Sequence, residues 1–158
     1  MGVQLRPMRD DEFTEWLPQM HDDYRRAMID DAGVSPEGAA EKAAADMELL
    51  FPGGCPSAEQ LVFVVEAEGE AVGELWLCER DDMGLRTLFV YDIHVGEAFR
   101  SRGYGKAAML FTEEEARRRG IDRISLNVFG RNTAARRLYL SLGYTENAVA
   151  MSKSLAAT

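Results

Sequence analysis

A glycine-rich segment at residues 100–109, RSRGYGKAAM, carries the residue types that hold phosphate groups. Three cations bracket two glycines there: Arg100, Arg102, Lys106, Gly103 and Gly105. The segment opens a predicted helix, and the unpaired N–H groups and positive dipole end of a helix N-terminus favour anions. Glycine lets the backbone come close to such a ligand. The cations and free amides together describe a pocket for a pyrophosphate.

The GxGxxA spacing that starts at Gly103 fits a dinucleotide-binding fold, a coenzyme A enzyme or a plain tight turn. A dinucleotide-binding fold places this motif after its first strand and an acidic residue at the end of the next strand. Here the motif follows a predicted three-stranded meander, and the next strand ends at residues 127–129 without an acid, since Asp122 lies at its other end. A P-loop is excluded because Ala107 follows the Gly-Lys pair. A simple turn needs no flanking cations, so the pyrophosphate interpretation is favoured.

The composition is typical of one globular domain. The chain has 158 residues, enough for a single core, and we predict one domain over residues 1–158. No apolar run reaches the roughly 18 residues of a membrane helix. The N-terminus lacks the pattern of a secretory signal or transit peptide, so a soluble, cytoplasmic protein is expected. Cys55 and Cys78 have no CxxC or His-flanked spacing, which predicts reduced, inert thiols and no metal site.

Charge is distributed unevenly along the chain, whose net charge is −9. Residues 1–96 contain 7 basic and 21 acidic residues, whereas residues 97–158 contain 11 basic and 6 acidic residues. The acidic excess argues against a nucleic-acid surface, which needs clustered Lys and Arg. Two interpretations stay open: a solvated acidic helical face, or a cationic ligand at the N-terminal half and an anionic one at the C-terminal half.

Hydrophobic periodicity and turn residues predict the element order β, α, α, β, β, β, α, β, α, β. The predicted strands are 3–8, 61–67, 71–79, 85–95, 121–129 and 144–155. The predicted helices are 10–32, which Pro18 can interrupt, 36–50 with Ser35 as N-cap, 103–120 and 132–143. We expect an α/β (α+β) protein with a mixed, mostly antiparallel central sheet and helices on both faces, in which strand 85–95 and strand 121–129 run parallel.

Two motifs carry a resemblance to a known family. The run VGEAFRSRGYGKAAM resembles the acetyl-coenzyme A motif of the GCN5-related N-acetyltransferases (GNAT), which Arg100, Gly103 and Gly105 fill. Downstream, NTAARRLYLSLGY resembles the second motif of the family, with matches at Asn132, Ala135, Tyr139, Gly143 and Tyr144. The resemblance covers residues 61–153 and implies a GNAT-like acyl-CoA N-acyltransferase fold. Residues 1–60 depart most, as expected where such enzymes build their acceptor sites.

The resemblance implies direct transfer of an acetyl group from acetyl-CoA to a primary amine, without a metal. A backbone N–H near Ile93–Val95 would meet the oxyanion, because in the family this strand splays from its parallel neighbour through a bulge. The residues expected to contact the cofactor are Ile93, His94, Val95, Arg100, Ser101, Arg102, Gly103, Tyr104, Gly105, Lys106, Asn127, Asn132, Ala135, Arg136 and Tyr139. Asn132 also suits the N-cap of the following helix.

Acid and base roles need separate residues. Tyr139 is the candidate general acid. A phenol has a reference pKa of about 10 and can donate a proton as charge develops on a departing thiolate, whose thiol has a pKa of about 8.5. The alternative is that Tyr139 is a core tyrosine. Asp92 lies in an otherwise apolar strand and is a candidate base or amine anchor. Glu74 is a comparable candidate that can instead face solvent, and a lone strand histidine such as His94 is more often structural. The base therefore stays open.

Other functions remain compatible with these residues. A non-catalytic acyl-CoA sensor or interaction domain on the same fold is the main alternative, and an acyltransferase for a longer acyl group is another. The acidic N-terminal half hints at a cationic acceptor, such as a polyamine, an aminoglycoside or a Lys side chain, within the expected class of small-molecule and peptide amines. No nucleic-acid or membrane partner is expected. A homodimer is compatible with contact surfaces on the last strand and on the helix of Trp16.

Overall fold

A five-stranded sheet in the order β1-β2-β3-β4-β5 organises the fold. The computed structural model describes residues 2–54 and 56–156, so the prediction for Cys55 lies outside the described residues. The strands are β1 (Val3–Pro7), β2 (Gln60–Ala67), β3 (Glu70–Asp82), β4 (Leu85–Val95) and β5 (Ile124–Leu126). Neighbouring strands are antiparallel except β4 and β5, which are parallel. The predicted mixed, mostly antiparallel sheet is confirmed.

The four helices begin close to the predicted positions. They are α1 (Asp10–Asp30), α2 (Pro36–Leu50), α3 (Tyr104–Arg118) and α4 (Thr133–Ser141). At the start of α2, the Ser35 hydroxyl accepts a bond from the Gly38 N–H at 3.1 Å, as a capping residue does. Pro18 does not interrupt α1. It removes only one backbone donor, and the buried side chains of Phe13 and Met20 hold the helix before and after it.

Helices cover both faces of the sheet within residues 2–127. One face packs against α1 and α2 through a cluster of large side chains: Phe13, Met20, Met47, Phe51 and Trp76. The opposite face packs against α3 through Val65, Ala67, Val72 and Ala108, with Ile93 and Tyr104 at its margin. Because strand side chains alternate, β3 and β4 send successive residues to opposite faces. Trp16 is partly buried and packs edge-on against Trp76, with ring centroids 5.8 Å apart.

The C-terminal end of α3 is tied to β3 by ion pairs. Glu115 is buried, with 3% of its surface exposed, and pairs with Arg118 and with Arg119, whose Nε lies 2.9 Å away. Arg119 also reaches Glu79 of β3 at 3.2 Å. A buried carboxylate needs such partners, and here they fasten α3 to the sheet. The N-terminal turn of α3 is thereby held at the end of the sheet where β4 finishes.

The chain forms two compact units, Met1–Asn127 and Val128–Thr158. The first contains the sheet and α1–α3, and the second contains α4. The prediction of one domain over residues 1–158 stays a prediction. None of the helices formed by the described residues combines the length and the apolar character needed to cross a membrane.

Two predicted strands differ from the structure. The strand predicted over 121–129 is confined to Ile124–Leu126. The strand predicted over 144–155 is wrong, since described residues 144–156 contain no strand. Its apolar side chains are exposed, with Val149 at 69%, Met151 at 91% and Leu155 at 87%. Alternating apolar residues form a strand only where a neighbouring backbone pairs with them, and no such pairing occurs over these described residues.

Candidate active site

The glycine turn leaves the first amides of α3 ahead of the hydrogen-bonding ladder of the helix. Ser101 and Gly103 have left-handed backbones, with φ of 64° and 84°, and α3 starts at Tyr104. The first helical bond runs from the Ala107 N–H to the Gly103 carbonyl at 3.0 Å. The N–H groups of residues 104–106 therefore precede the hydrogen-bonding ladder of the helix, as anion-binding amides do.

The cations of this turn have no carboxylate partners within residues 2–54 and 56–156. Among the described residues, no Asp or Glu forms a salt bridge with Arg100, Arg102 or Lys106, and all three are exposed. Every other Arg and Lys described between residues 2 and 119 is paired with an acidic side chain. Like charges left together without counterions create a positive potential that an anionic ligand can neutralise.

Two of these arginines are nevertheless held in place. The Arg100 Nε donates to the carbonyl of Val95 at 3.1 Å, which ties the turn to the end of β4. The Arg102 guanidinium lies 5.9 Å from the centre of the Phe99 ring, within cation–π range. The turn is thus fixed against the strand that precedes it, with its cationic groups still open to solvent.

A β-bulge in β4 prepares the other part of the site. Trp76 pairs with Asp92 and Leu77 pairs with Val90, so Tyr91 is the extra residue. Parallel pairing with β5 ends at Val90. The Gly96 N–H donates a hydrogen bond to β3 at 2.8 Å. Backbone N–H groups alternate in direction along an antiparallel ladder, so the amide of residue 94 also faces β3, whereas the amides of residues 93 and 95 face away from it. Two backbone donors therefore face the side of β4 that β5 leaves unpaired.

Gly73 permits close approach of β3 and β4 at this point. A Cβ on Gly73 would lie 2.1 Å from the His94 carbonyl oxygen, which is backbone and cannot rotate away. We expect Gly73→Ala to lower the free energy of unfolding by about 2 kcal/mol, the cost of forcing extra volume into a packed position. Urea denaturation measures this, with Gly130→Ala, which meets nothing within 4 Å, as the matched control. Equal stability of the two variants would contradict the close approach.

Three titratable side chains lie on the sheet face that α1 and α2 cover. The Glu74 Oε2 lies 2.9 Å from the His94 Nδ1, across the β3–β4 pair. Asp92 is two residues before His94 on the same face. Burial raises the pKa of the Asp92 carboxyl to about 6, and the carboxylates of Glu74 and Asp23 act in the same direction. The bond to Glu74 raises the pKa of the His94 imidazole above its ordinary value.

The second unit contains the downstream motif. Tyr139 is buried, and its ring centroid lies 5.9 Å from that of Tyr144. The Asn132 side chain accepts from the Ala135 N–H at 3.3 Å, so it caps α4. Arg136 pairs with a carboxylate of its own unit, Glu146, at 2.6 Å. Asn127 is exposed and directly follows β5 in the first unit.

Two further observations bear on the predicted chemistry. Burial raises the pKa of the Cys78 thiol, which favours its protonated form. No group of three His, Cys, Asp or Glu side chains within residues 2–54 and 56–156 is arranged to hold a metal ion. Sequence reasoning missed the Glu74–His94 pair, because that contact depends on the bulge at Tyr91.

Comparison with known sequences identifies relatives along nearly the whole chain. A family model described as the acetyltransferase (GNAT) family matches residues 17–144. The uncharacterized N-acetyltransferase YycN of Bacillus subtilis is 31% identical over 156 residues, covering 98% of this chain and 100% of that protein. A second B. subtilis protein, the uncharacterized N-acetyltransferase YdgE, is 28% identical over 156 residues, covering 98% of this chain and 99% of that protein.

Comparison with solved structures agrees with these relatives. The crystal structure of YycN has a TM-score of 0.89 and 30% sequence identity, covering 99% of this chain and 100% of that chain. The structure of AAC(6′)-Iy in complex with the bisubstrate analogue CoA-S-monomethyl-acetylneamine has a TM-score of 0.63 and covers 99% of this chain and 100% of that chain. At 18% identity, the second likeness concerns the fold alone. The predicted fold class is confirmed, and the chain belongs to the acetyltransferase (GNAT) family of acyltransferases.

Proposed function

We propose that this chain transfers an acetyl group from acetyl-CoA to a primary amine of a small molecule or peptide by direct attack. The observation that carries the proposal is a group of three cations at the N-terminus of α3 that form no salt bridge with any described carboxylate: Arg100, Arg102 and Lys106. A structural turn gains nothing from charges that repel one another, whereas a pyrophosphate-bearing donor neutralises them.

The turn fits the pyrophosphate of coenzyme A. The left-handed backbones of Ser101 and Gly103 leave the amides of Tyr104, Gly105 and Lys106 ahead of the helical ladder. A Cβ on Gly103 would meet nothing within 4 Å, so the backbone there is open to a ligand. The three cationic side chains would add charge-assisted hydrogen bonds. When bound, acetyl-CoA supplies the activated acetyl thioester.

The free edge of β4 suits the acyl end of the donor. The N–H groups of Ile93 and Val95 point away from β3 beyond the last pair with β5. Fixed backbone donors of this kind stabilise negative charge as it develops on a carbonyl oxygen. We assign the oxyanion to the Val95 amide, because the His94 amide is directed towards β3 and the Ile93 amide donates to the Asp92 carboxyl.

Roles for residues of the downstream motif are proposed from the motif match alone. Tyr139 is the proposed general acid, because a phenol can deliver a proton to a departing thiolate. Asn127, Asn132, Ala135 and Arg136 are proposed cofactor contacts on the strength of the motif match. Asn132 would act there through the part of its side chain that does not cap α4.

The proposed acceptor is an amine that approaches the sheet face covered by α1 and α2. The carboxyls of Asp92 and Glu74 lie on that face, and Asp23 of α1 adds to the negative potential at Asp92. With its pKa of about 6, the Asp92 carboxyl is mostly ionised at neutral pH and can anchor an ammonium group. A cationic acceptor is consistent with the acidic excess of residues 1–96.

Thiol release with a panel of amines tests this function. The purified chain is incubated at neutral pH with acetyl-CoA and a polyamine, an aminoglycoside or a Lys-containing peptide. The proposal predicts amine-dependent release of free coenzyme A and a matching mass gain of 42 Da, that of an acetyl group, on the amine. Binding of acetyl-CoA without release from any amine would favour the acyl-CoA sensor instead.

A further inference from the structure

The Glu74–His94 pair joins β3 and β4 on the sheet face that also carries Asp92. We propose that His94, oriented by Glu74, is the general base that takes a proton from the acceptor ammonium. This inference rests on the proposed amine acetylation and adds the residue that activates the amine.

The hydrogen bond fixes which imidazole nitrogen can act. Nδ1 faces the Glu74 carboxylate at 2.9 Å, and a carboxylate only accepts hydrogen bonds, so Nδ1 carries the proton. In the neutral ring the lone pair then lies on Nε2, which is the basic position. The side chain of His94 is 50% exposed, so part of the imidazole is open to solvent. Glu74, at 32% exposed, acts as a positioning residue.

The charges around the imidazole raise its pKa above the ordinary value. Glu74 on β3 raises the pKa of His94, partial burial opposes it, Asp92 on β4 raises it and Arg100 on the adjoining turn lowers it. On α1, Asp23 acts on the neighbouring Asp92 carboxyl. A base is most effective when its pKa lies close to the working pH, and among side chains the imidazole is the one whose ordinary pKa lies nearest to neutral pH.

Asp92 and His94 have different roles towards the acceptor amine: Asp92 anchors the ammonium group and His94 accepts its proton. Asp92 is the more desolvated group and offers a negative charge to the ammonium, whereas His94 offers a half-exposed imidazole that can return its proton to solvent. Nε2 takes one proton from the ammonium, the neutral nitrogen forms the C–N bond, and the C–S bond breaks. The second nitrogen proton passes to solvent as the amide forms, and the leaving sulfur takes one proton from the proposed general acid, which solvent then reprotonates. One proton is thus released overall, through His94.

Direct titration of the imidazole is the first test, and it does not depend on turnover. The chain has 2 histidines, so His21→Gln leaves His94 as the single imidazole. Proton NMR of this variant should report a pKa above the ordinary value of about 6.5. Adding Glu74→Gln should lower that pKa, because the neutral amide no longer favours the imidazolium. An unchanged pKa would overturn the pairing.

Kinetics across pH test the base itself. In the wild-type chain, kcat/KM for the amine should rise with pH as His94 loses its proton. His94→Gln should lower kcat/KM about 30-fold at pH 7, with less loss near pH 9.5, where solvent deprotonates the amine. Glu74→Gln should shift the rise to lower pH, since the imidazole pKa falls. The matched control His21→Gln should retain the wild-type profile.

Two outcomes would overturn the assignment. An acidic limb that persists in His94→Gln but disappears in Asp92→Asn would make Asp92 the base. A loss in His94→Gln that is equal at all pH values would indicate a structural role only. Acetyl-CoA affinity, measured in the same variants, should stay close to that of wild type, because the substitutions change side chains and leave the backbone amides assigned to the donor in place. If the wild-type chain acetylates an amine and either of these outcomes is observed, the proposed function is retained and only the assignment of His94 as the base is rejected.

Discussion

Replacing Tyr139 with phenylalanine is expected to lower turnover about 100-fold or more while leaving acetyl-CoA affinity nearly unchanged. The substitution removes only the phenol oxygen. Because Tyr139 is buried with its ring 5.9 Å from that of Tyr144, phenylalanine can keep the packing. The departing thiolate then has to take its proton from water, which slows the step in which the C–S bond breaks. A loss in kcat with little change in binding is the signature of an interaction made in the transition state.

The matched control for this experiment is Tyr144→Phe, which removes the hydroxyl group of the neighbouring ring. Steady-state thiol release and calorimetric binding of acetyl-CoA would be measured on both variants. Tyr144→Phe should retain most of its turnover. If Tyr139→Phe turns over as fast as wild type, Tyr139 is not the acid.

Replacing Gly103 with valine is expected to weaken acetyl-CoA binding at least about tenfold. Gly103 has φ of +84°, a conformation that a β-branched residue adopts only with strain. Its Cβ would meet no protein atom within 4 Å, so the added side chain would enter the space through which a ligand reaches the amides of the turn. The variant therefore loses close approach of the backbone to the pyrophosphate as well as the conformation that aims those amides.

Gly120→Val is the matched control, because it introduces a similar backbone strain away from the amides assigned to the pyrophosphate. Gly120 also has a left-handed backbone, with φ of +69° and nothing within 4 Å of an added Cβ, but it follows the opposite end of α3. Both variants should lose similar stability in thermal unfolding, whereas only Gly103→Val should lose binding. Normal binding by Gly103→Val would refute the assignment of the turn to a pyrophosphate.

Local sequence signals were sufficient for much of the fold. Ser35 and Pro36 mark the start of α2 because capping is decided within one turn of chain. The glycine turn was recognisable for the same reason, since left-handed residues and a helix N-terminus are local features. The bounds of β4, Leu85–Val95, also follow from its apolar run between two turns.

Features that depend on long-range register were not accessible in this way. The tight turn at Met83–Gly84 pairs Asp82 with Leu85, and an uninterrupted ladder would then place Glu74 opposite Ile93. The bulge at Tyr91 shifts the register by one residue and brings Glu74 opposite His94 instead. The family resemblance implies a bulge in this strand near residues 93–95, but no local pattern places it at Tyr91, so the Glu74–His94 pair could not be predicted.

The missing last strand has a related cause. Residues 144–155 have the alternation of a strand, but alternation describes only one side of a pairing. Whether a strand forms depends on a backbone that offers donors and acceptors beside it, and sequence periodicity does not contain that information. The exposure of Met151 and Leu155 records the absence of such a neighbour along the described residues.

Calorimetric titration of the wild-type chain with acetyl-CoA, with NADH and ATP as controls, tests the central claim most directly. Both controls carry linked phosphates, so they separate recognition of coenzyme A from a general attraction of anions to Arg100, Arg102 and Lys106. We expect saturable binding of one acetyl-CoA per chain and no comparable binding of the controls. Absence of acetyl-CoA binding would contradict the assignment of the turn and the proposed acetyl transfer with it.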